Sequence, residues 1–476
     1  MRLRAFRRGD TDTRIMIQTI RNAWRVPELK KKMLFTIMAL LIFRLGSAIP
    51  VPYIDGQALQ QYMNSQTGIL GLMNAMSGSA FSMATVFALS IQPYINSSII
   101  IQLLTVAIPA LERLARDGGE EGRKKIASIT RYTTVAIALL QGFGYYTLVN
   151  SYGLVNGGSL PGFWVGLVIV LSFTAGSAFL MWLGEQITEF GIGNGISIIL
   201  FAGIVSRFPR MLMDGINGLR TWISLQGTTV EGLVEQGMTE ESAKSYIEIM
   251  KQSALAPWML ALVVIGMLAL VVFIVYINNA ERRIPVQYAK RVVGRKMYGG
   301  QSTHIPMKVS MAGVMPIIFA QSIASLPATI CGFMGITKES PGFGGGLMKV
   351  FDTAAPFYSI LYFLLIVGFS YFYSTMAFNP IEVANNLKKN GGFIPGLRPG
   401  KPTCDFLMKV LNKITMFGAL YLSVIAIAPI ITGNLVRYQS LAIGGTSVII
   451  VVGVALETVK QMEAQMLMRH YKGFLE

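Results

Sequence analysis

Two adjoining stretches, Thr67–Ala80 (TGILGLMNAMSGSA) and Ala84–Ile108 (ATVFALSIQPYINSSIIIQLLTVAI), carry no charged residue between positions 67 and 108. A membrane-crossing helix needs about 20 mostly apolar residues to cover roughly 30 Å of hydrocarbon. The second stretch is long enough. The first, as a helix, would reach only about 21 Å at roughly 1.5 Å per residue. Charge adds an independent constraint. Lys30, Lys31 and Lys32 precede the first apolar run, and Arg113, Arg116, Arg123, Lys124, Lys125 and Arg131 follow Ile108. Basic loops stay in the cytoplasm, so an even number of crossings must separate these clusters. Met33–Val51 and Ala84–Ile108 supply two. Thr67–Ala80 therefore reads as a half-helix folded back into the protein. Its Ser77-Gly78-Ser79 break is tolerable at membrane depth only against protein or a water-filled cavity.

The whole chain of 476 residues is 53% hydrophobic and 14% charged, the composition of a polytopic helical membrane protein. The net charge of +17 is placed by topology, because 32 of the 41 Lys and Arg residues fall in inferred cytoplasmic segments. The positive-inside rule explains most of that excess, although a ribosome, with its RNA surface, could use the same charge. Hydropathy places spans near 33–51, 84–108, 132–150, 161–183, 192–208, 257–279, 306–329, 356–378, 409–432 and 439–457. The expected fold is an all-α polytopic membrane protein with ten transmembrane helices. Five spans lie on each side of an external region at 209–256. Five is odd, so the second half is inverted relative to the first, an arrangement that recurs in transport proteins.

The resulting organisation is a cytoplasmic amphipathic segment (1–32), an N-terminal half (33–208), an external insert (209–256), a C-terminal half (257–457) and a cytoplasmic tail (458–476). No short apolar core with a cleavage pattern precedes the first span, so a removable leader is not expected. Two basic loops, 278–308 and 379–405, are longer than a turn requires. The first, with β-branched residues and aromatics among its cations, suggests a hairpin; the second is rich in turn formers. Length, order and charge on one face suggest docking.

Enzyme chemistry finds no constellation. His304 and His470 are the two histidines and have no metal-site spacing. Cys331 and Cys404 fall on opposite sides of the membrane, so neither a disulfide nor a Cys-based metal site is expected. Around Gly400-Lys401 a phosphate loop fails, with Pro395 where its first Gly should stand and Pro402 where its Ser/Thr should. No metal or other cofactor is implied. Arg44 is the one clear ionisable group within a span, with Glu185 and Glu189 in the turn between spans four and five, so a proton or ion relay has little support. Neutral polar residues gather instead in spans two and seven, among them Gln92, Asn96, Ser97, Ser98, Gln102, Gln321 and Ser322.

Four stretches resemble the SecY family, the channel subunits of bacterial protein translocation: Phe87–Val106 (FALSIQPYINSSIIIQLLTV), Trp182–Val205 (WLGEQITEFGIGNGISIILFAGIV), Tyr288–Ala320 and Phe378–Thr403. The resemblance runs through all ten spans, and GFIPGLRPG has the bacterial form of its loop. Residues 209–256 are longer than the family pattern, and nothing is carried onto them. The resemblance implies an hourglass pore between the two halves, with an aliphatic ring at Ile91, Ile95, Ile196, Leu200, Ile318 and Ile450. Leu200 replaces an expected Ile and keeps the bulk. It places the plug on the half-helix, with Thr67, Gly71, Asn74, Met76, Ser77, Gly78 and Ser79. A lateral gate is implied between spans two and seven, with Gln102 and Gln321 along it. Docking of a SecA motor or a ribosome is implied at Arg291, Arg295, Lys296 and Arg398. SecE and SecG subunits, signal sequences, secretory preproteins and membrane lipids are the implied partners. The implied location is the bacterial plasma (inner) membrane with both termini cytoplasmic. Ten helices with inverted parity also leave open an ion-coupled carrier of small solutes, which would depend on an intramembrane charge.

Overall fold

The computed structural model describes residues 24–64, 77–116, 118–158, 161–227, 239–254, 256–288, 291–293, 296–298, 302–309, 311, 313–334, 336, 340–352, 355–436 and 439–472. The first half runs α1 (Pro27–Gly46), α2 (Gly56–Asn64), α3 (Gln92–Ala107), α4 (Pro109–Arg116), α5 (Gly119–Ser151), α6 (Gly162–Phe190) and α7 (Gly195–Val205). Then come α8 (Phe208–Gly227) and α9 (Glu240–Ser253). The second half is α10 (Pro257–Asn278), β1 (Glu281–Tyr288), β2 (Arg291–Val293), β3 (Lys296–Tyr298), β4 (Ser302–Lys308), α11 (Met315–Phe333), α12 (Phe343–Val350), α13 (Pro356–Ala377), α14 (Pro380–Lys389), β5 (Gly392–Phe393), α15 (Lys401–Val436) and α16 (Gln439–Lys472). A helix covers part or all of every expected span. By length and hydropathy alone, six helical runs among the described residues could cross a membrane, or seven if a bent pair is one span.

Several boundaries differ from the sequence expectation. Span two is not one helix from Ala84. The chain from Ser77 to Ile91 is a run of turns, with Ser79, Ala84 and Ser90 at positive φ, and α3 begins only at Gln92. Pro93 explains the late start, since its ring is tolerated in a first turn but clashes with the carbonyl four residues earlier in a helix interior. Pro109 ends α3, and the pair α3–α4 is bent by 105°. The helical run of the fifth span does not stop at 208: after the turn at Ser206–Arg207, α8 follows α7, and the two make a run of 32 residues, Gly195–Gln226. Glu185 and Glu189 lie inside α6, which continues to Phe190, and not in a turn. Span seven starts at Met315, with Pro316 in its first turn, because residues 302–308 are a strand. Of the expected half-helix, residues 67–76 lie outside the described residues; 77–80 are turns.

An irregular backbone at membrane depth must find its partners within the protein. Here it does. The Val51 N–H donates to the Ala84 carbonyl (3.0 Å) and the Val86 N–H to the Ile49 carbonyl (2.9 Å). The Ser177 hydroxyl of α6 donates to the Ser90 carbonyl (3.4 Å), and the Tyr145 hydroxyl of α5 to the Phe81 carbonyl (2.6 Å). Around this segment Val51, Leu59, Phe81, Leu89, Tyr145, Leu148, Ile169 and Phe173 form one buried cluster.

At the basic end the two long loops form one unit. β1 pairs antiparallel with β4 from Glu281↔Lys308 to Gln287↔Ser302, and its last residues pair with β5. Beneath the sheet lie Ile284, Val286, Met307, Ala384, Leu387, Ile394, Leu407, Val410 and Leu411. The last three of these belong to α15, so the loop unit is fastened to a spanning helix.

The contact of α6 with the irregular segment is close enough to test. A Cβ at Gly176 would lie 2.0 Å from the Val86 carbonyl oxygen. Gly176→Ala is expected to lower the thermal unfolding midpoint of the detergent-solubilised protein, through overpacking that costs about 1–3 kcal/mol or more. Gly266→Ala in α10, where an added Cβ meets nothing within 4 Å, should leave the midpoint unchanged or slightly higher.

Candidate functional site: an uncharged cavity between the two halves

The glycine-rich run at 191–195 sets the position of α7. Gly193 has φ +85°, and a Cβ at Gly195 would lie 1.9 Å from the Gly184 carbonyl oxygen of α6. Only glycine allows that approach. The Gly195 N–H donates to the Thr188 hydroxyl (2.9 Å), and the Ile192 N–H to the Thr36 hydroxyl of α1 (3.1 Å). The Asn194 side chain caps α7, accepting from the N–H groups of Ile196 (3.1 Å) and Ser197 (3.4 Å). An Asn side chain at this position satisfies donors that the first turn leaves free. Ile196 and, one turn on, Leu200 are thereby directed to a cavity.

That cavity has a volume of about 260 Å³. α3 lines it with Tyr94, Ile95, Ser98 and Gln102; α7 and its cap with Asn194, Ile196, Ser197 and Leu200; α11 with Met315, Ile318 and Phe319; and α13 with Tyr373. Both halves contribute, and no lining residue is charged. Four of the six expected ring residues, Ile95, Ile196, Leu200 and Ile318, line it. Ile91 and Ile450 do not, but both are buried in the core that also contains Ile95, Leu200 and Ile318, with Ile196 packed against it.

A polar link crosses the cavity wall. The Tyr373 hydroxyl donates to Gln102 Oε1, joining α13 to α3, and the Gln102 amide donates to the Ser98 hydroxyl (3.4 Å). Gln321 is buried within α11 and is not part of the lining. Sequence reasoning missed Tyr94, Met315, Phe319 and Tyr373. Tyr94 stands one position from Ile95 in the same first turn, a signal that could have been used. Tyr373 meets Gln102 from 271 positions away, and no local pattern announces that.

The remaining site residues lie elsewhere. Ser77, Gly78 and Ser79 form a turn at the end of α7 remote from the basic loops. The Phe81 N–H donates to the Ser77 hydroxyl (3.0 Å). Gly78 has φ +66°, and a Cβ there would meet Ser206 Oγ at 2.6 Å and the Gly203 carbonyl oxygen at 2.9 Å. Thr67, Gly71, Asn74 and Met76 lie outside the described residues, as does Arg295. Arg291 is in β2 and Lys296 in the paired β3. Arg398 is exposed in a turn whose carbonyl accepts the Thr403 hydroxyl (2.8 Å). Lys460 of α16 donates to the Asn278 carbonyl at the end of α10 (3.4 Å). Burial holds its ammonium below the ordinary value, and neighbouring Lys308 adds to the effect. Arg44 is exposed on α1, away from the cavity. Among the described residues no group of three or more His, Cys, Asp or Glu could hold a metal ion.

A family model described as SecY matches residues 85–459. The chain belongs to the SecY family. The protein translocase subunit SecY of Streptomyces scabiei is 43% identical over 472 residues, covering 97% of this chain and 100% of that relative. SecY of Bacillus subtilis (strain 168) is 42% identical over 468 residues, with the same coverage. Among solved structures, the chain is similar to one described as "The structure of a protein conducting channel" (TM-score 0.60, 18% identity, 92% of each chain). It is also similar to Sec61 in the canine ribosome-channel complex from the endoplasmic reticulum (TM-score 0.55, 16% identity, 92% of each chain). At those identities the likeness to solved structures is one of fold. The SecY architecture is that of a multi-pass membrane protein.

The link between the halves can be weighed by a double-mutant cycle. Tyr373→Phe and Gln102→Leu, singly and together, are expected to show a coupling of about 1 kcal/mol in thermal unfolding, the usual net worth of one hydrogen bond. Strict additivity would mean that the two side chains do not hold one another.

Proposed function

We propose that this chain is the protein-conducting channel of a Sec translocon in a bacterial plasma membrane, a channel subunit and not an enzyme. It passes unfolded secretory chains across the bilayer and releases apolar segments sideways into lipid. Both termini are cytoplasmic, SecE and SecG are its companion subunits, and the SecA ATPase or a translating ribosome supplies the drive. Family membership supports this reading, and one observation carries the mechanism: an uncharged cavity to which both halves contribute aliphatic side chains, Ile95, Ile196 and Leu200 from the first and Ile318 from the second, beside neutral polar groups.

Aliphatic groups offer water no hydrogen bonds, so a narrow constriction made of them resists ions by dewetting. The same groups require no particular polar partner and can close around polypeptides of many sequences. In this reading Ile91, Ile95, Ile196, Leu200, Ile318 and Ile450 are the ring, and residues 67–80 are the plug. α3 and α11 are the two sides of the lateral gate, with Gln102 and Gln321 on them. An apolar segment leaves through that gate because its surface is more stable in lipid than in water. The joined loop unit at the basic end, with Arg291, Arg295, Lys296 and exposed Arg398, is the docking face for motor and ribosome.

A photo-crosslinking residue at position 196, with a matched control at the exposed Val205 of the same helix, tests the ring. With a secretory chain arrested in transit, crosslinks are expected from position 196 and not from 205. Equal crosslinking from both in a loaded complex would reduce the ring to ordinary core. Arg398→Glu is expected to abolish ATP-driven export while the protein still inserts and folds; normal export by this variant would remove the docking assignment.

A further inference from the structure

Among the described residues, the cluster around the irregular segment contains one buried member from the second half. Its buried residues come from positions 51–173, except for Phe333, the last residue of α11. Phe333 is 6% exposed. It presses so closely on α5 that a Cβ at Gly144 would lie 2.6 Å from its side chain. One turn along, the Thr147 hydroxyl donates to the Phe333 carbonyl, a group that the end of α11 leaves without a helical partner. Between these positions stands Tyr145, fully buried. Its hydroxyl donates to the Phe81 carbonyl (2.6 Å), and its ring meets Phe81 edge to face, with centroids 4.8 Å apart. Phe81 in turn takes the Ser77 hydroxyl on its N–H (3.0 Å). A single turn of α5 therefore touches both the end of α11 and the anchor of the Ser77–Ser79 turn.

We propose that Phe333 is a positioning residue for the plug, through which separation of the two halves reaches the plug's anchor at Phe81. This rests on the channel reading above. Parting α11 from α5 withdraws Phe333 and the carbonyl that Thr147 holds. The cluster around Tyr145 and Phe81 then loses the one wall supplied by the other half. Close-packed clusters respond to such a loss by discrete rearrangement more than by gradual strain. In the resting state the same contact runs in the other direction, and a seated Phe81 favours closed halves.

The test reads the plug's anchor directly. Ser79→Cys, in a background where Cys331 and Cys404 are serine, is labelled by a membrane-impermeant maleimide from the outer side, in the assembled complex in vesicles. The labelling rate is compared at rest and with an arrested secretory chain. With Phe333 present, loading is expected to accelerate labelling. Phe333→Ala is expected to raise the resting rate on the order of tenfold, within the usual range of intersite coupling, and to leave little further rise on loading. Phe333→Leu, which keeps most of the bulk, should restore much of the low resting rate. Thr147→Val removes the hydroxyl at nearly constant volume and should give a smaller rise; it serves if the alanine variant does not assemble. A rise on loading with Phe333 present, but no change at rest in Phe333→Ala or Thr147→Val, overturns the coupling and leaves the channel reading standing. No effect of loading in any variant, with the chain held, overturns both.

Discussion

The structure depends on hiding a stretch of irregular backbone where water cannot serve it. Residues 77–91 are turns within a long stretch that has no charged residue. In such surroundings an unpaired peptide group costs several kcal/mol. The first half is arranged to prevent that. The segment after α1 pairs residues 49–51 with this backbone across an isolated antiparallel bridge, α5 brings the Tyr145 hydroxyl and α6 brings Ser177. Gly176 removes its own side chain from the space the Val86 carbonyl occupies. The arrangement places a short start to α3 at the middle of the bundle, and with it Ile91 and Ile95.

The cavity follows from a second economy of the same kind. α7 must begin deep in the protein, so its first N–H groups need a partner, and Asn194 supplies one locally. The glycines at 193 and 195 then let the chain fold back against α6 closely enough to bring Ile196 and Leu200 opposite Ile95 and Ile318. The wall carries no charge; its aliphatic members, Ile95, Ile196, Leu200 and Ile318, stand beside the neutral polar side chains of Ser98, Gln102, Asn194 and Ser197. The link from Tyr373 to Gln102 satisfies two polar side chains with one another and sits where the two halves meet.

Much of this was legible in the sequence, and the failures have a common cause. The Ser77-Gly78-Ser79 break read from the sequence falls in the turns at 77–80, and hydropathy located a helix in every expected span, because both signals are local; the rest of the half-helix expected at 67–80 lies outside the described residues. The start of α3 was missed by eight residues because hydropathy is blind to Pro93, whose backbone constraint outweighs the apolar run around it. Beyond the fifth span, Arg207, Pro209 and Arg210 interrupt the apolar pattern, yet after the turn at Ser206–Arg207 a second helix, α8, carries the helical run on. The ring positions came from the family resemblance; alone, each aliphatic residue reads as packing. Tyr373, Phe319 and Phe333 were invisible because their partners are distant in sequence, and distance is what a linear pattern cannot carry.

Joining the two basic loops into one unit changes what that face can do. Taken separately, a hairpin at 281–308 and a turn-rich loop at 379–405 are compliant, and a push on either would be lost in bending. Strand β5 pairs with β1, and the shared core beneath them includes Leu407, Val410 and Leu411 of α15. α15 is 36 residues long and packs along α13, which carries Tyr373, and along α16, which carries Ile450. A helix of that length extends about 54 Å, more than the hydrocarbon thickness, and behaves as a stiff rod over it. Lys460 adds a second fastening where α16 meets the end of α10, immediately before β1. In the channel reading, a load placed on the docking unit therefore passes through α15 to α13, whose Tyr373 lines the cavity. The compliant element is the contact between the halves, where Gln102 meets Tyr373 and Phe333 meets α5.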